Sequence, residues 1–95
     1  MSDVIDAAVK ALNEKIGTGF DGIAKFVIEG EGALIVDESG ARAGDDEADV
    51  TLTANADDFQ AMLEGELNPT TAFMSGKLSV DGDMGLAMKL GSALS

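Results

Sequence analysis

Between Asp3 and Ile16 the apolar positions Ile5, Val9, Leu12 and Ile16 recur at intervals of three and four, with Asp6, Lys10, Asn13 and Glu14 turned away. That spacing predicts an amphipathic helix capped by Ser2 or Asp3. GTGFDG (residues 17–22) ends it, because a glycine past the last turn tolerates the left-handed conformation. The period then drops to two. Phe26 and Ile28 fall on one face of a strand, with Lys25, Val27 and Glu29 on the other. EGEG turns the chain, and Leu34 and Val36 share a face of the next strand, so the pair predicts an antiparallel hairpin. ARAG (residues 41–44) predicts a third short strand. ADVTLTA alternates most clearly, setting Val50 and Leu52 against Asp49, Thr51 and Thr53.

Helical spacing returns after that strand. Asn55 or Asp57 can cap a helix running to about Glu64, with Phe59, Met62 and Leu63 on one face and Gly65 as its stop. Pro69 suits the first turn of a short helix, PTTAFMS, because its missing N–H costs little there. Gly76 closes that helix, KLSVDGD predicts a last strand with Leu78 and Val80 inward, and MGLAMKLGSAL a last helix. Strands in a run with helices grouped after them predict an α+β fold, helices covering one face of a mainly antiparallel sheet. No internal repeat or linker breaks residues 1–95, so one domain is expected.

Charge removes several function classes. The chain carries 18 Asp and Glu against six Lys and Arg, a formal net charge of -12. Nucleic-acid binding needs clustered cations, and these six are scattered, so no nucleic-acid partner is expected. Repulsion from anionic leaflets limits any membrane contact to a transient one. The apolar runs fall far short of the ~20 residues that span a bilayer. MSDVIDAAVK lacks the basic start and apolar stretch of a secretory signal, and a cytoplasmic address is expected.

Catalytic chemistry finds little support. His, Cys, Trp and Tyr are absent, which removes the usual base near neutral pH and the usual activated nucleophiles. Paired acids at Glu64 and Glu66, and at Asp81 and Asp83, read as solvated caps and turns. GTGFDG matches the dinucleotide fingerprint at Gly17, Gly19 and Gly22, but a helix precedes it and a strand follows, the reverse of what a phosphate-binding turn requires. Gly76 and Lys77 are followed by Leu78 where a phosphate loop needs a hydroxyl, and the calcium-loop start at Asp81 ends on Ser92 rather than an acid. No enzyme activity, metal or cofactor is expected. An acyl carrier protein, equally short and acidic, needs an Asp-Ser-Leu at a helix start, and no serine sits in that setting.

The remaining apolar residues leave two readings open. Phe59, Met62, Leu63, Leu67, Phe73, Met74, Met84 and Met88 lie on helices that must cover the sheet face bearing Phe26, Ile28, Leu34, Val36, Val50, Leu52, Leu78 and Val80. Methionine adapts its shape, so the five here suit either a filled core or a wall that accommodates a guest.

From Asp49 onward the chain resembles the sterol carrier protein type 2 family. The resemblance rests on ADVTL, an acid pair before Phe59, the run GELNPTTAFMSGKLSVDGD and LAMKL, in the family's order. It implies a five-stranded sheet covered by helices, with an apolar tunnel between them that takes up fatty acids, fatty acyl-CoA, sterols or phospholipids without changing them. The expected lipid-binding residues are Phe26, Ile28, Leu34, Val36, Val50, Leu52, Phe59, Met62, Leu63, Leu67, Phe73, Met74, Leu78, Met84 and Met88. Lys10, Lys15 and Lys89 are read as surface lysines. The alternative is an accessory interaction module of the same fold with a filled core. The chain departs from the family at Leu34, where many members carry tryptophan, and in its acidity.

Overall fold

The computed structural model describes residues 3–16 and 20–94, the last without its side chain. Helix α1 (Asp3–Ile16) leads into strands β1 (Ala24–Glu29), β2 (Gly32–Asp37), β3 (Gly40–Ala43) and β4 (Val50–Asn55). Helices α2 (Ala56–Leu63) and α3 (Pro69–Met74) follow, then β5 (Ser79–Gly82) and α4 (Met84–Leu94). The strands form one sheet in the order β3-β2-β1-β4-β5. Every neighbouring pair is antiparallel except β1 with β4, which run parallel. The α+β, mainly antiparallel architecture is therefore as the sequence implies, and the parallel central pair is what strand patterning left unspecified.

Local chemistry explains most boundaries. In the β1–β2 turn Gly30 takes φ +80°, a left-handed position open to glycine, and the Glu31 N–H donates to Ile28 O at 3.0 Å. Asp3 opens α1, whereas the other expected cap, Ser2, and the glycines Gly17 and Gly19 lie outside the described residues. Strand β5 begins two residues later than KLSVDGD suggests. The N–H groups of Lys77 and Leu78 both donate to Ala72 O, at 2.8 and 3.1 Å, so they are still committed to closing α3.

All four helices pack on one sheet face, around Phe26, Ile28, Leu34, Val36, Val50 and Leu52. The opposite face bears the crossover from β3 to β4, which must pass β2 and β1. There Lys25 Nζ meets Asp45 Oδ1 at 2.9 Å, and the Asp49 N–H donates to Ile23 O at 2.9 Å. This crossover buries Ile35: a Cβ on Gly44 would stand 3.6 Å from Ile35 Cγ1. At the β3 border the Asn13 carboxamide occupies both backbone groups of Ala41, donating from Nδ2 to its O at 3.1 Å and accepting from its N at 2.8 Å. In effect α1 supplies a side chain where a further strand would pair.

Candidate functional site

The space between helices and sheet divides into a filled part and a hollow one. In the filled part α1 lays Ile5, Ala8 and Leu12 against β2 and β3, and Phe59 of α2 meets Phe26 edge-on with ring centroids 5.0 Å apart. Ala8 was not singled out by periodicity, because a methyl group barely marks a face, yet it is buried as deeply as its larger neighbours.

The hollow part lies under α3 and α4. Two asparagines set the helices that frame it. Asn55 Oδ1 accepts from the Asp58 N–H at 2.7 Å to start α2, which settles the choice between Asn55 and Asp57. Asn68 Oδ1 accepts from Thr70 N at 2.8 Å and Thr71 N at 3.3 Å, with Pro69 in the first turn of α3. The Ser75 hydroxyl donates to Thr71 O at 2.8 Å and ends this helix. On α4, Leu90 is fully buried and anchors the helix over the sheet, while Gly91 faces Pro69: a Cβ at Gly91 would meet Pro69 Cβ at 3.4 Å, the near edge of ordinary contact.

Between these elements lies a cavity of about 300 Å³. Phe26, Leu52, Met62, Leu78 and Leu90 are its buried inner walls, and Val80, Ala87, Pro69, Gly91 and Thr70 complete the sides. Its rim is Phe73, Met74, Met84 and Met88. All four are exposed, Met74 at 80% and Met88 at 72%, and among the described residues Ile23 is the only large apolar side chain outside this rim that is also exposed. Nearly all the exposed bulky apolar surface is thus gathered round one opening, an arrangement soluble proteins keep for contacts with other molecules. None of the described lining residues is charged, and Thr70 supplies the single hydroxyl among them. Displaced titrations lie elsewhere: Arg42 donates to Asp37 at 2.6 Å and holds that carboxyl below its usual 3.8, helped by the Ser39 N–H, while Asp37 raises Arg42.

The expected lipid-binding residues therefore separate. Phe26, Leu52, Met62, Phe73, Met74, Leu78, Met84 and Met88 come together at the cavity. Ile28, Leu34, Val36, Val50 and Phe59 belong to the packed core, with Leu63 and Leu67 against it, and none of these lines the cavity. Their inward orientation follows the pattern, but the space above them is taken by α1 and α2. The Leu34 departure accordingly falls in packed core and leaves the cavity wall untouched. Pro69, Thr70, Val80, Ala87, Leu90 and Gly91 were missing from the expected set. Positions 84, 87, 88 and 91 form one helical stripe, so the small residues Ala87 and Gly91 could have been found from the spacing of Met84 and Met88. Lys10, Lys15 and Lys89 are exposed and do not line the cavity.

The model of the SCP-2 sterol transfer family matches residues 5–95, and the chain belongs to that family. It is 38% identical over 98 residues to hydroxysteroid dehydrogenase-like protein 2 of Xenopus laevis, covering 95% of this chain and 24% of that protein. It is 37% identical over 83 residues to peroxisomal multifunctional enzyme A of Dictyostelium discoideum, covering 87% of this chain and 18% of that protein. The chain thus spans about a quarter or less of the length of these curated relatives. Among solved structures, sterol carrier protein 2 from Yarrowia lipolytica in its apo form is similar at 25% identity and TM-score 0.71, over 96% of this chain and 86% of that one. Sterol carrier protein 2 from Aedes aegypti in complex with palmitate superposes with TM-score 0.79 at 23% identity, over 100% of this chain and 97% of that one. The latter likeness is one of fold.

Proposed function

We propose that this domain is a non-enzymatic lipid carrier that holds the apolar part of a fatty acid, acyl-CoA or sterol-like lipid in the cavity under α3 and α4. The observation that carries the reading is the cavity itself: about 300 Å³ of apolar space whose mouth gathers four of the exposed bulky side chains. That volume is at the lower end of small-molecule sites. It suits one hydrocarbon chain or the end of a larger lipid, with any head group left at the mouth. Burying roughly a dozen methylenes gains on the order of 10 kcal/mol. Ordering the guest and rim removes several of those, which leaves a dissociation constant of micromolar order or weaker.

Family membership supports the reading, as does the palmitate bound to the Aedes relative. The alternative of an interaction module with a filled core has no comparable support, since a cavity remains between the sheet and helices α3 and α4. The dehydrogenase and multifunctional-enzyme relatives carry a matching segment within much longer chains. By analogy the carrier role extends to handing a lipid to a catalytic partner. Displacement of a fluorescent fatty acid by unlabelled lipids, together with native mass spectra of freshly purified protein, tests the proposal. Competition at micromolar concentration and co-purified lipid are expected. Bare protein and no competition would overturn it.

A further inference from the structure

The cavity mouth differs from the rest of the surface in charge as well as in polarity. Residues 67–80 and 84–94, which hold α3, α4 and most of the lining, contain two lysines, Lys77 and Lys89, and no acid. All 18 acids of the chain lie elsewhere, and both lysines are exposed. The acids next to these segments have other places. Asp81 follows Val80 on β5 and so points to the opposite sheet face. The Asp83 carboxylate accepts from the Leu86 N–H at 3.2 Å, Asp21 lies 3.7 Å from Lys89 Nζ, and Glu66 belongs to the turn that closes α2, its N–H donating to Ala61 O at 2.9 Å. By contrast α1 exposes Asp3, Asp6 and Glu14, and the crossover on the far sheet face exposes Asp45, Asp46, Glu47 and Asp49.

An exposed apolar rim beside cations fits a phospholipid surface, where methionine and phenylalanine enter the acyl boundary and lysines reach the phosphates. The opening between those side chains favours the same partner. A protein seated on the rim would stopper the cavity, whereas a bilayer is a reservoir of the guest. At physiological ionic strength charges are screened beyond about 8 Å. The protein measures 22 Å along its shortest axis, so the acids of the far face are screened from a surface at the mouth, and the net charge of -12 shortens the visit without preventing it. We infer that the domain docks mouth first on a phospholipid bilayer, with Phe73, Met74, Met84 and Met88 in the interface and Lys77 and Lys89 on head-group phosphates. The inference rests on the carrier reading, and it gives the guest a path that does not cross water.

The chain contains no tryptophan, so Met74→Trp and Met88→Trp each set a lone reporter on the rim, and Glu47→Trp sets one on the crossover. The full chain is mixed at physiological salt with vesicles of phosphatidylcholine and about one-fifth phosphatidylserine, whose acyl chains carry bromine. Vesicles and protein should sediment together, with the rim reporters blue-shifted and quenched and Glu47→Trp unchanged. Lys77→Gln with Lys89→Gln should weaken vesicle binding about tenfold while fatty-acid displacement in solution stays as it was. Ser39→Glu with Ala43→Glu alters the net charge equally at the other edge of the sheet and should have little effect. Quenching at Glu47→Trp, or equal weakening by the two charge pairs, would overturn the mouth-first orientation. Rim quenching that ignored the lysine pair would overturn the part given to Lys77 and Lys89. Rim reporters already blue-shifted without vesicles, in a chain that self-associates, would assign the rim to a second copy instead. Absence of vesicle binding beside normal fatty-acid displacement would overturn the docking alone, and absence of displacement would sink the carrier reading itself.

Discussion

The two parts of the space beneath the helices differ although their strands follow the same pattern. Over β2, Leu34 and Val36 point inward and vanish under α1, a helix of 14 residues carrying Ile5, Ala8 and Leu12. Over β4 and β5, Leu52 and Val80 point inward in the same way, but their cover is the six-residue α3 and the stripe of α4 that includes Ala87 and Gly91. A short helix and small side chains leave the second space open. Alternation along a strand decides which side chains face the helices. The length and bulk of the helix above decide whether they meet anything there.

This contrast can be broken first at its filled side. Leu12→Ala removes a side chain with no exposure from beneath α1 and should cost about 2–5 kcal/mol in urea unfolding. A loss under about 1 kcal/mol would mean that the packing there is looser than described. The polar clamp of α1 comes next. Asn13→Leu deletes both hydrogen bonds to Ala41 and should lower stability by about 1–2 kcal/mol in the same assay.

The hollow side should respond in the opposite sense. Gly91→Ala removes a glycine from the interior of α4 and is expected to raise stability by about 0.5–1 kcal/mol, the new methyl touching Pro69 at ordinary contact distance. It should also narrow the cavity, so thermal unfolding and lipid displacement should move apart: a higher melting temperature with weaker binding. A Met74→Ala, Met88→Ala double variant should change stability by about 0.5 kcal/mol or less while weakening lipid binding. A loss as large as that of Leu12→Ala would show that these side chains support the fold rather than the opening.

The smallest effect concerns the Asp37–Arg42 pair, away from both spaces. Because Arg42 and then the Ser39 N–H hold the Asp37 carboxyl below 3.8, its contribution is present above that pH and fades as pH falls through the depressed value. Wild type and Arg42→Met should therefore differ in urea midpoint near neutral pH and converge in acid. Their difference should not grow on acidification.

Much of the fold could be read from the chain because its elements are locally consistent. Ile5 and Leu12 mark one face of α1, Asn55 and Asn68 open α2 and α3, and Phe26 and Ile28 share a strand face as their spacing demands. What escaped the reading depends on relations between distant segments. Ile35 sits between Leu34 and Val36 on the opposite face and is buried only because the crossover near Gly44 lies on it. Asn13 reads as a polar surface position until β3 is placed beside it. Similarly, nothing in the alternation of Leu34 or Leu52 tells which of them faces α1 and which faces a gap. Methionine was informative only in part: Met62 is a buried wall and Met88 an exposed rim, and the residue type is the same.

The parallel pairing of β1 with β4 has a kinetic consequence. The β1–β2 hairpin closes through a tight turn and belongs to the microsecond events of folding. Residues 50–55, by contrast, must return across two strands and a crossover before they can join residues 24–29, and the chain entropy of that return is lost before any contact repays it. The cavity walls, apart from Phe26, begin at Leu52, so they come into being only after this late step. A guest that recognises the finished cavity should therefore act mainly as a brake on unfolding and leave the refolding rate nearly as it was.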